Sequence, residues 1–452
     1  MKPNILFITI DALRADKTYG KNKTSTTPHI DSLISKGVYF EQTIAAADQT
    51  GSSLASIFTS NFPITFGINQ FNFSSKTETM LNIFKKSGYY IDGFVPDHDF
   101  FKSLTENFDN SDVYQAEKKA SWKRLGDGLG AQIIDRITTN KMKKPWFLYI
   151  HVMDIRPPFE VPDEFRDEKF GKNDYEKLVS TIDFWIGKII EKIELSNTLI
   201  ILSADHGEFI PVTGEYIGGS SRAQRALRKS TKSIPLLDKL GLKAVMNLRF
   251  ASQTYKKEIL KRKLTPFQMR SFNTRGADTL YDEITRVPLI ITGYNITSHK
   301  IISDLVRQVD IFPTLLDILK LPENNNVDGR SLLPLISGKK LDEIPAYIET
   351  GINLGRLLDK KSELLGKIIG IRTSSYKYWR SRDDPKENIS LFNLHEDPKE
   401  ENDVAENNLN IIKKMEDHLT QLMKKSNNDK NKKMTNEDIE KAKELLLKLG
   451  YV

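Results

Sequence analysis

Two short apolar runs that break off at charged residues constrain the fold of this chain more than any other feature. Ile5-Leu6-Phe7-Ile8-Thr9-Ile10 stops at Asp11, and Thr198-Leu199-Ile200-Ile201-Leu202-Ser203 leads through Ala204 into Asp205-His206-Gly207. Runs this short and this rich in β-branched residues fit buried strands. Amphipathic segments lie between them. Ile30, Leu33 and Ile34 fall at helical spacing within Pro28–Lys36, Thr79–Ser87 reads as a helix closed by Gly88, and Tyr175–Leu195 reads as a long helix. Tyr89–Val95 and Trp146–Val152 read as further strands. The alternation predicts an α/β fold, a mainly parallel sheet sandwiched by helices. Ligand sites in such sheets form beyond the carboxyl ends of the strands, where Asp11 and Asp205-His206 stand.

Further along, Arg286–Ile291 reads as a strand, Val309–Leu316 opens a helix with Pro313 in its first turn, and Asn324–Gly329 is a polar loop. From about Pro345 the pattern changes to short strands, Ala346–Glu349, Ile368–Arg372 and Tyr376–Arg380, which predict a small antiparallel sheet. Ser426–Lys433 is a polar Lys/Asn-rich linker, and Thr435–Leu449 reads as a terminal helix capped by Thr435. The expected division is a catalytic α/β domain over 1–340, a small α+β subdomain over 341–425, and linker plus helix over 426–452.

The 452 residues contain no cysteine, which excludes disulfides, thiolate metal sites and a thiol nucleophile and fits a reducing compartment. The N-terminal apolar run is too short for a signal-peptide core, and no segment reaches the roughly 18 apolar residues of a membrane span. The sequence therefore reads as a soluble cytoplasmic protein. Its net charge of +7 is uneven: Pro211 to Arg275 holds 15 Lys/Arg against 3 Asp/Glu, a local +12, which leaves the remainder at −5. This basic insertion, about residues 211–273, suits an anionic partner. A lid, a segment lying on an anionic membrane surface, or a clamp for a polyanionic substrate would each account for it, as would a merely solvated insertion. Nucleic acid ranks last because aromatic residues are sparsely interleaved. Nothing in the pattern fixes an oligomeric state.

A carboxylate after one strand (Asp11), a hydroxyl at the start of a helix (Thr50) and an Asp-His pair after another strand (Asp205, His206) converge only if the strands are neighbours. Such a set suits one divalent ion, Mn²⁺, Mg²⁺, Ca²⁺ or Zn²⁺. Each residue also has a plain structural reading, as a turn residue or a helix cap. The order of motifs resembles the sulfatase family of the alkaline phosphatase superfamily. Pro3–Asp16 resembles its opening block, Thr27–Leu33 with Gly37–Phe40 its second, and Thr198–Glu208 its most specific one. Leu280–Glu283, Arg286–Pro288, Val309–Leu316 with Asp328–Leu332, Gly370–Thr373 with Tyr376–Tyr378, and Leu391–Leu394 keep the family's order. The resemblance implies an alkaline-phosphatase-like fold, an anionic ester substrate, metal ligation by Asp11, Asp205 and His206, and Thr50 against the metal as nucleophile.

The sequence departs from the family at the nucleophile itself. The family's usual segment, Cys or Ser followed by any residue, Pro, Ser and Arg, aligns with Thr50-Gly51-Ser52-Ser53-Leu54, and a threonine cannot be oxidised to formylglycine. Ala12 stands where a second adjacent Asp is usual, and Leu54 replaces the Arg. Arg156 and Arg275 occupy places where His is common; with Arg14 they are candidate clamps for phosphate or sulfate oxygens. His151 is then the leading general-acid candidate, ahead of His98. Without formylglycine, a phosphate mono- or diester processed through a Thr50 covalent intermediate, by hydrolysis or phosphotransfer, is the expected chemistry. A sulfuric ester hydrolase and a non-catalytic anion-binding or membrane-surface protein are the alternatives.

Overall fold

The computed structural model describes residues 2–426 except 67–77, 118–120, 140, 157–158, 212–257, 274–277, 323–325 and 352–366. Most of the basic insertion, Arg275 and the expected helix Thr435–Leu449 lie outside the described residues.

The apolar runs become the centre of one sheet. Its strands are β1 (Asn4–Ile10), β2 (Gly37–Ile44), β3 (Tyr90–Pro96), β4 (Asn110–Tyr114), β7 (Trp146–Val152), β8 (Thr198–Ser203), β9 (Arg286–Gly293) and β10 (Lys300–Arg307). Two short paired strands, β5 (Ala116–Glu117) and β6 (Ser121–Trp122), stand apart. The spatial order is β10-β2-β9-β8-β1-β7-β3-β4, parallel throughout except β9, which runs antiparallel to both neighbours. Every residue of β1 is buried, because both faces are covered. Ile5 and Phe7 join Phe58, Phe84, Phe147 and Phe312 on one face, while Leu6 and Ile8 join Ile30, Leu148 and Ile182 on the other. Each such side chain contributes roughly 1.5–3 kcal/mol through burial.

The register sets the site. Thr9 pairs with His151 in β7 and with Ser203 in β8, so the chain ends of three adjacent strands are level. Helix α1 (Pro28–Ser35) packs beside the long helix Asp174–Ile190, and α2 (Thr50–Thr59) runs from the site into the core. The long helix ends before the expected Leu195, at Ile190.

The second sheet is an antiparallel meander of β11 (Ala346–Glu349), β12 (Ile368–Arg372), β13 (Tyr376–Ser381) and β14 (Ser390–Asn393). One face, with Ile348, Ile368, Trp379 and Phe392, packs on Ile44, Leu280 and Leu305 of the large body. The other face packs on Met415 and Leu419 of helix Leu409–Ser426. No helix among the described residues is long and apolar enough to cross a membrane.

Candidate active site

Asp11 follows β1 directly, and its N–H donates to the carbonyl of Val152 at 2.8 Å. The next residue, Ala12, has φ +65°, a left-handed conformation costing roughly 1–2 kcal/mol for a residue with a Cβ. That turn sends the Ala12 N–H to Asp205 Oδ1 at 3.1 Å, and the His206 N–H reaches the same oxygen at 2.8 Å. Asp205 Oδ2 is left buried with no hydrogen-bond partner. Behind this turn, Gln308 Nε2 donates to the carbonyls of Ala204 at 2.7 Å and Asp205 at 2.8 Å.

Thr50 opens α2, and its hydroxyl donates to Asp11 Oδ2 at 3.1 Å and lies 3.3 Å from His206 Nε2. His206 Nδ1 is 2.9 Å from the Gly207 carbonyl, which holds the ring proton there and leaves the Nε2 lone pair facing Thr50 and Asp205. Arg156 Nε donates to Asp11 Oδ1 at 3.2 Å, with the side chain 24% exposed. The positive end of α2 favours negative charge near Thr50.

The donor set fits a divalent cation. Ligand atoms of Asp11, His151 and Asp205 lie within 4.8 Å of one another, and all three residues are fully buried. Two carboxylates and an imidazole closing on one point, with Asp205 Oδ2 and His151 Nε2 lacking hydrogen-bond partners, call for a cation, because buried charges are paired or coordinate metals.

Thr50, Asp11, Asp205, His206 and Arg156 are therefore brought together as the sequence suggested. His151 differs from its expected role: it is fully buried, its Nε2 lies 3.7 Å from Asp11 Oδ2, and its Nδ1 lies 3.0 Å from the Tyr149 hydroxyl. A general acid should face the leaving group, whereas this ring faces the carboxylates. Arg14 is also placed differently. Its guanidinium holds Asp16 through bonds of 2.8 and 2.9 Å, Glu283 at 3.3 Å and the Glu208 carbonyl at 3.3 Å, so it is engaged in bracing the turn after Asp11. Burial would lower its pKa, but Asp16 and Glu283 outweigh that and raise it. His98 caps the helix Asp99–Thr105. Glu283 lay within the recognised block Leu280–Glu283 without being singled out, and Gln308 carried no signal beyond preceding the block that opens at Val309. Within the His151–Arg156 segment, Asp154 is buried against the Leu125 N–H at 3.1 Å; burial pushes its carboxyl up to about 7, with that bond acting in the opposite direction.

The family model described as Sulfatase matches residues 3–321. This chain belongs to the sulfatase family. A second model, N-sulphoglucosamine sulphohydrolase, C-terminal, matches residues 271–425 and takes in the smaller sheet of this sulfatase-family chain. Arylsulfatase K of Gallus gallus is 23% identical over 448 residues, covering 89% of this chain and 79% of that protein. Among solved structures, one described as in complex with its substrate D-glucosamine-2-N,6-O-disulfate aligns with TM-score 0.66 and 16% identity over 95% of this chain and 99% of that one. The phosphonate monoester hydrolase of Silicibacter pomeroyi aligns with TM-score 0.67 and 16% identity over 96% and 97%. At these identities the structures show the shared sulfatase fold alone. The family is one of ester hydrolases, and the mostly parallel sheet with a separate four-stranded antiparallel sheet is its architecture.

Proposed function

We propose that this protein hydrolyses a sulfate monoester on an anionic saccharide, with Thr50 as the attacking group. The observation that carries the reading is Thr50 itself, its hydroxyl 3.1 Å from Asp11 and 3.3 Å from His206 at the start of a buried helix. The family match and the arylsulfatase relative support sulfate over phosphate, which reverses the preference drawn from the missing formylglycine. The local charge of +12 from Pro211 to Arg275 supports a polyanionic substrate.

A divalent cation held by Asp11, Asp205 and His206 would favour the alkoxide form of Thr50 and offset charge on the ester oxygens. Thr50 already points its proton at Asp11 Oδ2. Attack on sulfur forms the Thr50 Oγ1–S bond, with the Thr50 proton passing to water, and breaks the bond from sulfur to the sugar oxygen, which takes a proton from water and leaves as the alcohol. Water then attacks sulfur, the Thr50 Oγ1–S bond breaks, sulfate departs and Thr50 regains a proton. The Arg156 guanidinium makes no hydrogen bond among the described residues beyond that from Nε to Asp11, so its terminal nitrogens are available to the sulfuryl oxygens.

A second reading, attack on a phosphate ester, is favoured by one observation: an alkoxide side chain that cannot form an aldehyde must be released by attack at the central atom, which phosphorus accepts readily. The discriminating assay offers 4-nitrophenyl sulfate, 4-nitrophenyl phosphate and bis-4-nitrophenyl phosphate with Mn²⁺, Mg²⁺, Ca²⁺ or Zn²⁺. Preferential cleavage of the sulfate is expected, abolished by Thr50→Ala. Faster phosphate cleavage would favour the second reading, and no cleavage with no retained cation would sink both.

A further inference from the structure

We infer that His151 is a metal ligand, and that the resulting mixed nitrogen and oxygen site selects a borderline cation such as Zn²⁺ over Ca²⁺. The inference rests on the cation-dependent reading of the same site and deepens it. Four observations carry it. Ala12, next to Asp11, has no donor side chain, so the turn after β1 supplies a single carboxylate. His151 projects from the end of β7, the strand beside β1, with Thr9 as its register partner two residues before Asp11. Its Nε2 is buried, makes no hydrogen bond, and lies 3.7 Å from Asp11 Oδ2 within the cluster that includes Asp205. Its Nδ1 is 3.0 Å from the Tyr149 hydroxyl.

That last contact matters because a metal-bound imidazole coordinates through one nitrogen and donates its other N–H to a fixed acceptor. With the proton on Nδ1 and the Tyr149 oxygen accepting it, the Nε2 lone pair is directed at the two carboxylates. His206 is arranged in the same way, with Nδ1 against the Gly207 carbonyl and Nε2 3.4 Å from Asp205 Oδ2. A protonated His151 paired with Asp11 is the competing explanation, but it leaves Asp205 Oδ2 without a partner, whereas one cation satisfies both orphaned atoms. Imidazole suits Zn²⁺, Fe²⁺ and Co²⁺; Ca²⁺ is a hard ion that takes oxygen ligands. Two imidazoles beside two carboxylates therefore disfavour Ca²⁺. His151 is also removed from the general-acid role, so the leaving-group proton comes from elsewhere.

The test uses full-length protein stripped with a chelator, titrated with Co²⁺ while the visible d–d absorption is recorded, and then with Zn²⁺ and Ca²⁺ as competitors. Wild type is expected to bind one Co²⁺, to be displaced by Zn²⁺, and to resist a large excess of Ca²⁺. His151→Ala should weaken Co²⁺ and Zn²⁺ at least about tenfold, while the metal-free variant keeps the far-ultraviolet circular dichroism of metal-free wild type. If that variant does not fold, ¹⁵N shifts of the wild-type histidine rings supply the answer: Zn²⁺ should move Nε2 of His151 as well as that of His206. Unchanged Zn²⁺ affinity in His151→Ala, an unmoved His151 Nε2, or Ca²⁺ displacing Co²⁺ would overturn the inference while leaving a cation-dependent hydrolase intact. Failure of wild type to bind any of these cations would overturn both.

Discussion

Lys377→Met should cost this protein more stability than its place in the smaller sheet suggests. Lys377 is fully buried on β13, with its ammonium 2.5 Å from Asp282 Oδ1 and 2.8 Å from Glu400 Oε1. It belongs to an alternating line of charges, Asp16, Arg14, Glu283, Arg270, Glu400, Lys377, Asp282 and Arg372, running from the turn after Asp11 to the second sheet. Burial alone would raise the Asp282 pKa, but Lys377, Arg372 and Arg286 together hold it well below the carboxylate range. Without Lys377, Asp282 keeps Arg372 at 3.2 Å, whereas the nearest remaining cation to Glu400 is Arg270 at 3.9 Å. Removing one partner from a buried pair leaves an uncompensated charge and typically costs about 3–5 kcal/mol. We therefore expect a loss of about that size at pH 7.5, read from urea denaturation midpoints. Glu400, whose pKa burial already raises, escapes by protonation as pH falls, so the loss should shrink as pH is lowered. Lys377→Met/Glu400→Gln should recover about 2 kcal/mol or more, the coupling expected of contacting residues. A single variant within about 1 kcal/mol of wild type, or a double variant no more stable than the single, would refute the reasoning.

Three further outcomes follow from particular contacts. A Cβ on Gly207 would sit 2.0 Å from the Glu283 carbonyl oxygen, a backbone atom that cannot yield cheaply, so Gly207→Ala should displace the Asp205-His206 turn and lower metal affinity by about tenfold or more in the Co²⁺ titration. Asp154 binds its proton more tightly folded (about 7) than unfolded (about 4), so its stabilising contribution is complete below about pH 4 and is lost as pH rises through about 7. Asp154→Asn should accordingly match wild type in thermal stability near pH 4 and exceed it by up to about 4 kcal/mol at pH 8. Arg156→Lys keeps the charge but loses the planar fork, and kcat should fall by roughly 10²–10³ with little change in Tm.

The strands nearest the site were legible because they are buried on both faces, so Ile5–Ile10, Trp146–Val152 and Thr198–Ser203 read as apolar runs. β2 and β10 were not, for a physical reason. β10 is a sheet edge whose ladder to β2 shifts between Ile302 and Leu305, and Ser303-Asp304 there, like Glu41-Gln42 in β2, break the apolar pattern. The antiparallel direction of β9 was also beyond local pattern, since Arg286–Ile291 is equally apolar in either direction. Helix Leu409–Ser426 was within reach, because Ile411, Met415, Leu419 and Leu422 recur at helical spacing.

At the site, Asp11, Thr50, Asp205 and His206 were legible through motif order, as strand ends and a helix start. The duties of His151 and Arg14 were not, because both depend on which partner a side chain meets across the fold. Arg14 lies three residues after Asp11 yet turns to Glu283, a residue 269 positions away in the chain. Arg270, counted within the basic insertion, is likewise a buried member of the charge line.

The measurement that bears most directly on the proposed chemistry is mass spectrometry of rapidly quenched protein after mixing with excess aryl sulfate and divalent cation. The expected result is a covalent adduct on the peptide containing Thr50, with the accurate mass of a sulfo group, that disappears once substrate is exhausted and never forms in Thr50→Ala. Turnover without any adduct at Thr50, or full turnover by Thr50→Ala, would contradict the assignment of Thr50 as the nucleophile.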